Sequence, residues 1–564
     1  MRISIPPGVV SDTPWVSPPG IMRAVRGLNI RWRLGLPETL GLFGPLRNLA
    51  GEAVVVPRNN TETPRAVYTA QFGEGVQIVV AAANRVDLVT VDPATPPDSE
   101  TRYRVETIDA TLTPAVSETL PNPTLKAIVI PPTWWFVEQE GVIVGQRAGV
   151  DESVRAWSRA VPGGFNPLRD YDVGDDGGSP SLDAPKRAVA GGLLNRILVL
   201  LGCESFDPST PRDMVVRWSN RGNFELWNPL IVIDPLTTTA NISGEFLLDI
   251  GNRIVGGGTT AFGIVVWTDK AMALVNETGD FNTILGRRYI DGARGMLSNR
   301  AWCEADGRLW WIDGGRTLNM FDGGRPVEIE NPLRRGTIDR VNEVGAPRIY
   351  MAANAEYGEV LIWYPSGDST ECDRALVYNY REQAWSIWGL SRAHWYPRQG
   401  IQEAVAVGLD GTVYAQDIGP ACPTAYRPDA ILPIGPGTGC GAGTAVGASN
   451  LTPINAFFEI GPMVADEAAQ TTFSGVRTLM SWLPTPAVGA EQDEVRVTLT
   501  GYEDASVRDR SHQEVQMWTQ SDTVREYRVS GRSLSVRFEF ENTRTVWRLG
   551  YMDLALGGSD GGER

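Results

Sequence analysis

Residues 263–275 read GIVVWTDKAMALV, two apolar segments separated by the polar triplet 268–270. Short apolar runs rich in valine, isoleucine, tyrosine and tryptophan are typical of β-strands. The triplet contains Asp269, and aspartate favours tight turns. The stretch therefore predicts an antiparallel β-hairpin.

The same pattern recurs along the chain, whereas helical periodicity is scarce. Hairpins are predicted for three further pairs of segments: 76–83 with 87–91, 348–353 with 359–364, and 375–380 with 384–388. The sequence Asp-Gly-x-aliphatic-aromatic also occurs twice, from Asp306 to Trp310 and from Asp410 to Tyr414. Repeated antiparallel sheets of this kind predict an all-β, β-propeller-like fold of undetermined blade count, with a series of sandwiches as the alternative.

Composition suggests how this fold is divided. Residues 1–45 are predicted to join a platform, and 46–421 to form the propeller-like domain, with a proline-rich insertion at about 93–186. Residues 422–450 are rich in glycine and proline, which is linker composition. Beyond them, apolar and polar residues alternate, for example across 533–541, which predicts a separate C-terminal β-sandwich or platform module over 451–564.

The balance of charge argues against a general phosphate-binding surface. The 564 residues include 51 Lys plus Arg and 67 Asp plus Glu, a net charge of −16. Nearly all positive charge is arginine, which suits ion pairs within interfaces, although genomic base composition explains it equally well. Neither a secretory leader nor a membrane-spanning segment is expected. Five widely spaced cysteines favour reduced thiols and synthesis in a reducing cytoplasm.

Catalytic motifs are missing from the sequence. The two histidines, His394 and His512, belong to no His-Glu-x-x-His pattern, and neither a Gly-x-Ser-x-Gly elbow nor a phosphate-binding glycine loop is present. His394 stands beside aromatic residues, which favours an ordinary hydrogen-bonded histidine, and His512 is expected to be exposed. We therefore expect a protein that is not an enzyme, with no catalytic residues, no cofactor and no metal site.

The alternative is a β-propeller glycosidase or carbohydrate-binding protein, since such glycosidases need only two carboxylates. The turn from Trp218 to Trp227 approaches the Ser-x-Asp-x-Gly element of sialidase-like propellers, but Arg221 occupies the aspartate position, which favours a structural turn. An acidic turn lacks the spacing of a Ca²⁺ loop and is read as solvated; its aspartates are Asp170, Asp172, Asp175 and Asp176. Paired tryptophans such as Trp310-Trp311 are interpreted as blade contacts or subunit interfaces rather than sugar platforms.

Several segments together resemble the tail nozzle, or packaged-DNA stabilisation, proteins of short-tailed bacteriophages. Residues 29–41, NIRWRLGLPETLG, are similar to the family element Arg-Phe-Arg-x-Gly-x-Pro-Glu-Lys-x-Gly-Gly-Trp, with Thr39 in place of its lysine. Other similar segments follow in the family's order: 216–219, 227–229, 264–269, 306–311, 321–323, 362–366, 373–374, 377–380, 385–386, 529–533, 547–550 and 557–558. Residues 93–186 show no resemblance.

The resemblance implies a structural virion protein of the tail, made in the host cytoplasm. It implies a homohexameric tube beneath the portal and adaptor proteins, possible contacts with tail fibres, and a channel through which DNA is retained and ejected without sequence-specific binding. An acidic surplus agrees with this function, because a channel that repels phosphates lets DNA slide.

Overall fold

The computed structural model describes residues 2–3, 5–10, 22–40, 42–45, 64–72, 75–82, 85–91, 103–109, 133–148, 154–158, 165–167, 184–207, 210, 212–229, 241–280, 283–342, 344–367, 369, 371–397, 404–409, 411–418, 454–464, 471–483, 494–503, 511–519, 522–543 and 546–557. Within these residues the secondary structure is almost entirely β. The short 3-10 helices are Arg212–Met214, Arg334–Gly336, Ile338–Arg340 and Ala346–Arg348. No helix of the described residues is long and apolar enough to cross a membrane.

The chain begins with short strands and continues into consecutive four-stranded sheets. The N-terminal strands are β1 (Arg2–Ile3), β2 (Ala24–Leu28), β3 (Ile30–Arg33), β4 (Leu36–Thr39) and β5 (Leu42–Pro45). Blade 1 comprises β6 (Ala66–Phe72), β7 (Gly75–Ala81), β8 (Val86–Val91) and β9 (Tyr103–Asp109). Blade 2 comprises β10 (Trp134–Gln139), β11 (Val142–Arg147), β12 (Arg155–Ser158) and β13 (Asn166–Pro167). Blade 3 comprises β14 (Ala190–Leu194), β15 (Ile197–Leu201), β16 (Val215–Trp218) and β17 (Gly244–Leu247).

The remaining blades follow without a break in this order. Blade 4 comprises β18 (Ile254–Thr260), β19 (Gly263–Thr268), β20 (Met272–Glu277) and β21 (Leu285–Tyr289). Blade 5 comprises β22 (Trp302–Ala305), β23 (Arg308–Ile312), β24 (Leu318–Phe321) and β25 (Val327–Ile329). Blade 6 comprises β26 (Tyr350–Asn354), β27 (Glu359–Tyr364), β28 (Arg374–Asn379) and β29 (Ala384–Trp388). Blade 7 comprises β30 (His394–Tyr396), β31 (Ala404–Val407), β32 (Val413–Ile418) and, as its outermost strand, β5.

The seven four-stranded sheets form a closed ring, a seven-bladed β-propeller. The first strand of each blade is the innermost: β10 contacts β6 and β14, and β30 contacts β6, which closes the circle. The second strands are largely apolar because both faces are covered, and every residue of β19 is buried. Tight hairpin turns join several strands; Asp306 and Gly307 both have positive φ (48° and 69°), as a type I′ turn requires.

The C-terminal strands form a β-sandwich together with the N-terminal ones. They are β33 (Ile454–Val464), β34 (Thr471–Leu483), β35 (Val495–Tyr502), β36 (Ser511–Trp518), β37 (Val524–Gly531), β38 (Ser533–Thr543) and β39 (Val546–Gly557). One sheet has the order β3-β4-β39-β34-β37, with β1 also paired to β39, and the other has the order β2-β33-β38-β35-β36. The predicted all-β class, with propeller-like sheets and a C-terminal sandwich, is confirmed.

Three details differ from the sequence predictions. The predicted insertion at 93–186 is wrong, because this segment contains β9 and the whole of blade 2. The many prolines of the segment drew attention away from the β10–β11 hairpin, whose turn is Glu140-Gly141. The two Asp-Gly copies are not equivalent, since the first joins β22 to β23 and the second lies between β31 and β32. Residues 1–45 were expected to join the platform, but their last strand, β5, belongs to blade 7. The predicted linker, 422–450, lies outside the described residues.

A buried ion pair joins the sandwich to the propeller. The guanidinium of Arg31, on β3, donates from Nε to Oε1 of Glu359 on β27 (2.6 Å) and from Nη2 to Oε2 (3.0 Å). Both side chains are only 1% exposed. Asn354 Nδ2 also donates to the carboxylate (3.1 Å), and the guanidinium lies 3.6 Å from the ring centroid of Tyr357. A bidentate ion pair of this kind fixes both the position and the orientation of β3 relative to blade 6.

Other residues of the 29–41 segment complete the joint. Asn29 adopts a left-handed conformation (φ 58°), its backbone N–H donates to the Ile387 carbonyl, and its side-chain oxygen accepts from Gly389 N–H. The carboxylate of Glu382 accepts the backbone N–H groups of Leu34 and Gly35, at 2.8 and 2.9 Å. The β3–β4 hairpin is thus bound to blade 6 at its turn as well as along its strand.

Removing one member of the buried pair should destabilise the whole chain. The substitution Arg31→Met deprives the buried Glu359 carboxylate of its counter-charge, and we expect a loss of about 3–5 kcal/mol of unfolding free energy in urea denaturation. Replacing both residues with Met should recover most of this loss, because no buried charge is then left uncompensated. Arg2→Met, at an exposed pair with Asp553, is the control and should cause no measurable change. A single Arg31→Met variant as stable as wild type would contradict this role.

Candidate functional site

His394 lies on β30, where the first strands surround the propeller axis. Its Nδ1 accepts the backbone N–H of Val67 (2.9 Å), so the neutral ring carries its proton on Nε2. The ring packs against Tyr350, with 5.2 Å between centroids. Burial lowers the pKa of His394 well below 6.5, and the nearby charge of Arg300 lowers it further. His394 is therefore a neutral packing residue at neutral pH.

The axis of the propeller is closed at the end where the first strands begin. Asn299, which precedes blade 5, donates from Nδ2 to Oγ1 of Thr133, which precedes blade 2 (2.5 Å). These blades stand on opposite sides of a seven-membered ring, so this hydrogen bond crosses the axis. A DNA strand cannot pass along the axis of a single chain in this arrangement.

The turn from Trp218 to Trp227, which resembles a glycosidase element, contacts the neighbouring blade through an ion pair. Arg221 pairs with Glu277 of blade 4 (2.7 Å), and Trp227 is fully buried. The paired tryptophans also lie inside blades: Trp310 and Trp311 are buried, and the indole of Trp311 donates to the Arg294 carbonyl. These side chains are not available as sugar platforms.

Other predicted candidates give no site. The acidic turn, 170–178, lies outside the described residues, as do Cys422 and Cys440. Cys203, Cys303 and Cys372 are buried free thiols, and burial raises the pKa of Cys203 to about 12. No group of three or more His, Cys, Asp or Glu side chains in the described part of the chain is arranged to hold a metal ion.

A groove of about 850 Å³ lies between the outer strands of blades 3 and 4. Trp218, Phe246 and Tyr289 supply aromatic walls, and Glu245 is the one acidic residue among its described lining. That carboxylate already accepts hydrogen bonds from the Ser205 hydroxyl and the Phe206 N–H. Glycoside hydrolysis needs two carboxylates across the bond to be cleaved, so this groove does not favour the glycosidase alternative. Residues 230–240, which follow Pro229 of its lining, lie outside the described residues.

The sandwich presents an apolar edge to solvent. β36 is the last strand of its sheet, and its outward side chains include Val515 and Met517, which are 52% and 41% exposed. The intervening residues point inward: Gln516 donates to the Glu526 carbonyl, and Trp518 is fully buried. We call the exposed side chains of Gln513, Val515 and Met517 the platform edge. Exposed apolar side chains on an edge strand are typical of a protein interaction surface.

A charged stripe crosses the same outer face toward the platform edge. Its ion pairs are Arg26–Glu459 (3.8 Å), Arg537–Glu459 (3.3 Å), Arg537–Glu539 (2.7 Å) and Arg496–Glu539 (4.0 Å). Arg496 lies opposite Met517 in the β35–β36 pairing. The face therefore combines a network of internally paired charges with an apolar margin, an arrangement suited to contact with another protein.

The platform edge was not predicted from the sequence, because the alternation in β36 does not show which side chains face solvent. In residues 511–518, apolar and polar positions alternate as in any half-buried strand, and this alternation alone does not predict that Val515 and Met517 face solvent. The structure turns Glu514 and Gln516 inward, since their side chains hydrogen-bond β37. The available signal was Trp518, whose size favours burial and whose position fixes which alternate residues face the core.

His394 should make stability depend on pH in a defined window. The pKa of His394 is depressed in the folded state. Its contribution to the free energy of unfolding is therefore fully present above the unfolded pKa of about 6.5, and it is lost as the pH falls toward the folded pKa. We expect the unfolding free energy to fall between pH 7 and 5 with a slope approaching about 1.4 kcal/mol per pH unit. His394→Gln should lose this slope, and His512→Gln, at an exposed position of β36, should keep it. An unchanged slope in His394→Gln would contradict the assignment.

Comparison with known proteins shows fold similarity only. No protein-family model and no curated protein matches the chain. Among solved structures, it is similar to BamB from Moraxella catarrhalis (9% identity, 71% of this chain and 98% of that one, TM-score 0.34). It is also similar to YCF48 bound to D1 peptide (11% identity, 65% and 95%, TM-score 0.35) and to the computationally designed Ika8 protein (14% identity, 66% and 100%, TM-score 0.33). At these TM-scores, the similarities carry no argument about function.

Proposed function

We propose that this chain is a non-enzymatic structural subunit of a phage tail nozzle. In this proposal it forms a homohexamer in the virion tail, beneath portal and adaptor proteins and in possible contact with tail fibres, and the assembly retains and releases DNA. The observation that carries the proposal is the platform edge, an apolar margin on a sandwich bound rigidly to the propeller. Isolated exposed apolar residues are ordinary, but adjacent ones on an edge strand favour a partner.

The joint between the two units supports an assembly role. A subunit of a ring must hold its contact surfaces at fixed angles, and the Arg31–Glu359 pair together with the Glu382 contacts holds the sandwich on blade 6. The Asn299–Thr133 hydrogen bond across the propeller axis supports a DNA path between copies of the chain rather than within one copy. A hexamer with a shared central channel satisfies both conditions.

Charge on the platform edge should break the assembly without unfolding the subunit. We expect the double substitution Val515→Lys and Met517→Lys to shift the purified protein from hexamer to smaller species, because six interfaces would each gain buried positive charges. Mass photometry at matched concentrations measures the distribution. Val327→Lys, at an exposed apolar position on β25 of blade 5, is the matched control and should leave the hexamer intact.

Two outcomes would count against the platform edge. The first is a double variant that assembles like wild type. The second is a wild-type protein that stays monomeric over the whole concentration range that mass photometry covers. Circular dichroism of each variant separates loss of assembly from loss of fold.

Net charge predicts how the protein treats DNA. With a charge of −16 per subunit, the free protein should bind duplex DNA weakly at physiological salt, because phosphate repulsion exceeds any local attraction by arginine. A fluorescence titration over a range of salt concentrations measures the affinity. Tight binding that weakens steeply with salt would reveal a basic track and would contradict the sliding-channel proposal.

A further inference from the structure

Arginines precede the innermost strands of six blades. They are Arg65, Arg187, Arg253, Arg300, Arg348 and Arg392, each one to three residues before the first strand of its blade. First strands run in the same direction around a propeller ring, so these residues gather at one mouth of the axis. This mouth lies at the opposite end of blade 6 from the Arg31–Glu359 joint, because β26 runs from Tyr350 to Asn354, beside Glu359.

Three of these arginines line one small cavity. It also contains Thr133, Glu371 and Cys372, and its volume of about 20 Å³ accommodates roughly one water-sized sphere. The lining residues lie in or just before blades 1, 2, 5, 6 and 7, so the cavity lies on the axis and touches both sides of the ring. A group bound there would connect blades that are far apart in sequence.

Among the described residues that line the cavity, positive side chains outnumber negative ones. Glu371 accepts hydrogen bonds from Arg65 (2.6 and 2.9 Å) and from Arg348 (2.7 Å), so one carboxylate serves two guanidinium groups. Its neighbour Cys372 is neutral, because burial raises the pKa of the thiol to about 12. Arg300 adds a third positive charge, and no described acidic side chain forms an ion pair with it.

Arg300 is the group that points to a ligand. Its Nε and Nη1 are shielded from solvent and have no hydrogen-bond partner among the described residues. Burial lowers its pKa to about 10, which still leaves it protonated at neutral pH. The Tyr350 ring lies 5.6 Å away and gives only a weak cation–π contact. Arg300 is partly exposed, but N–H groups that are shielded from water and lack an acceptor are unfavourable, so its Nε and Nη1 require one.

We propose that this axial cavity binds one small inorganic anion, of the size and charge of chloride. A water molecule could accept the hydrogen bonds of Arg300, but it would leave the excess positive charge uncompensated. The small volume favours a monatomic anion over phosphate, sulfate or a carboxylate group. The bound anion ties blade 5 to blades 6 and 1 near the position where β30 meets β6, and it stabilises the closed ring. This inference does not depend on the proposed role in a tail.

Halide substitution tests the site directly. Crystals of the full chain grown in sodium bromide should show an anomalous bromine peak within hydrogen-bond distance of Arg300 Nε or Nη1. In solution, the thermal unfolding midpoint should rise by at least about 2 °C when sodium chloride replaces sodium gluconate at equal ionic strength, and this rise should saturate with chloride concentration.

Arg300→Met supplies the decisive variant. It removes the uncompensated charge, so it should fold in gluconate at least as stably as wild type and should lose the saturable chloride effect. Arg253→Met, at an exposed arginine of the same mouth, should retain that effect. The proposal fails if the wild-type midpoint is the same in both salts, if Arg300→Met responds to chloride as wild type does, or if the cavity contains only water in the bromide crystals.

Discussion

The buried pair between Arg31 and Glu359 is the interaction on which the arrangement of the two units depends. It lies where a strand of the sandwich crosses a strand of blade 6, and both charged groups are almost completely removed from water. Such a pair is a poor source of net stability, but breaking it is costly, so it selects one arrangement over others. The neighbouring contacts of Asn29 and Glu382 fix the hairpin on either side of it.

The N-terminal segment contributes strands to both units. Strands β1 to β4 are built into the sandwich, whose other strands come from the end of the chain, and β5 then closes blade 7. Neither unit is complete until residues separated by most of the chain have paired. Folding that depends on such distant pairings is slow, and the resulting closed structure leaves the chain few ways to open locally.

Much of the fold was predictable from local patterns, and the reasons for the failures are physical. The hairpin at 263–275 and the alternation at 533–541 were informative because each strand's burial is set by its own sequence. Blade 2 was not predicted, because the loops around its strands are rich in proline. The platform edge was missed since Glu514 and Gln516 face β37 rather than solvent, and the Arg300 cavity joins residues from separate blades, which no sequence spacing reveals.

We propose that this chain forms a ring whose channel lies between subunits. Electron microscopy of the purified full-length protein tests it most directly, because class averages along the axis report both symmetry and the position of the opening. We expect sixfold rings with one central channel and with closed propellers arranged around it. Isolated monomers at all accessible concentrations, or rings in which each propeller contains its own open channel, would contradict it.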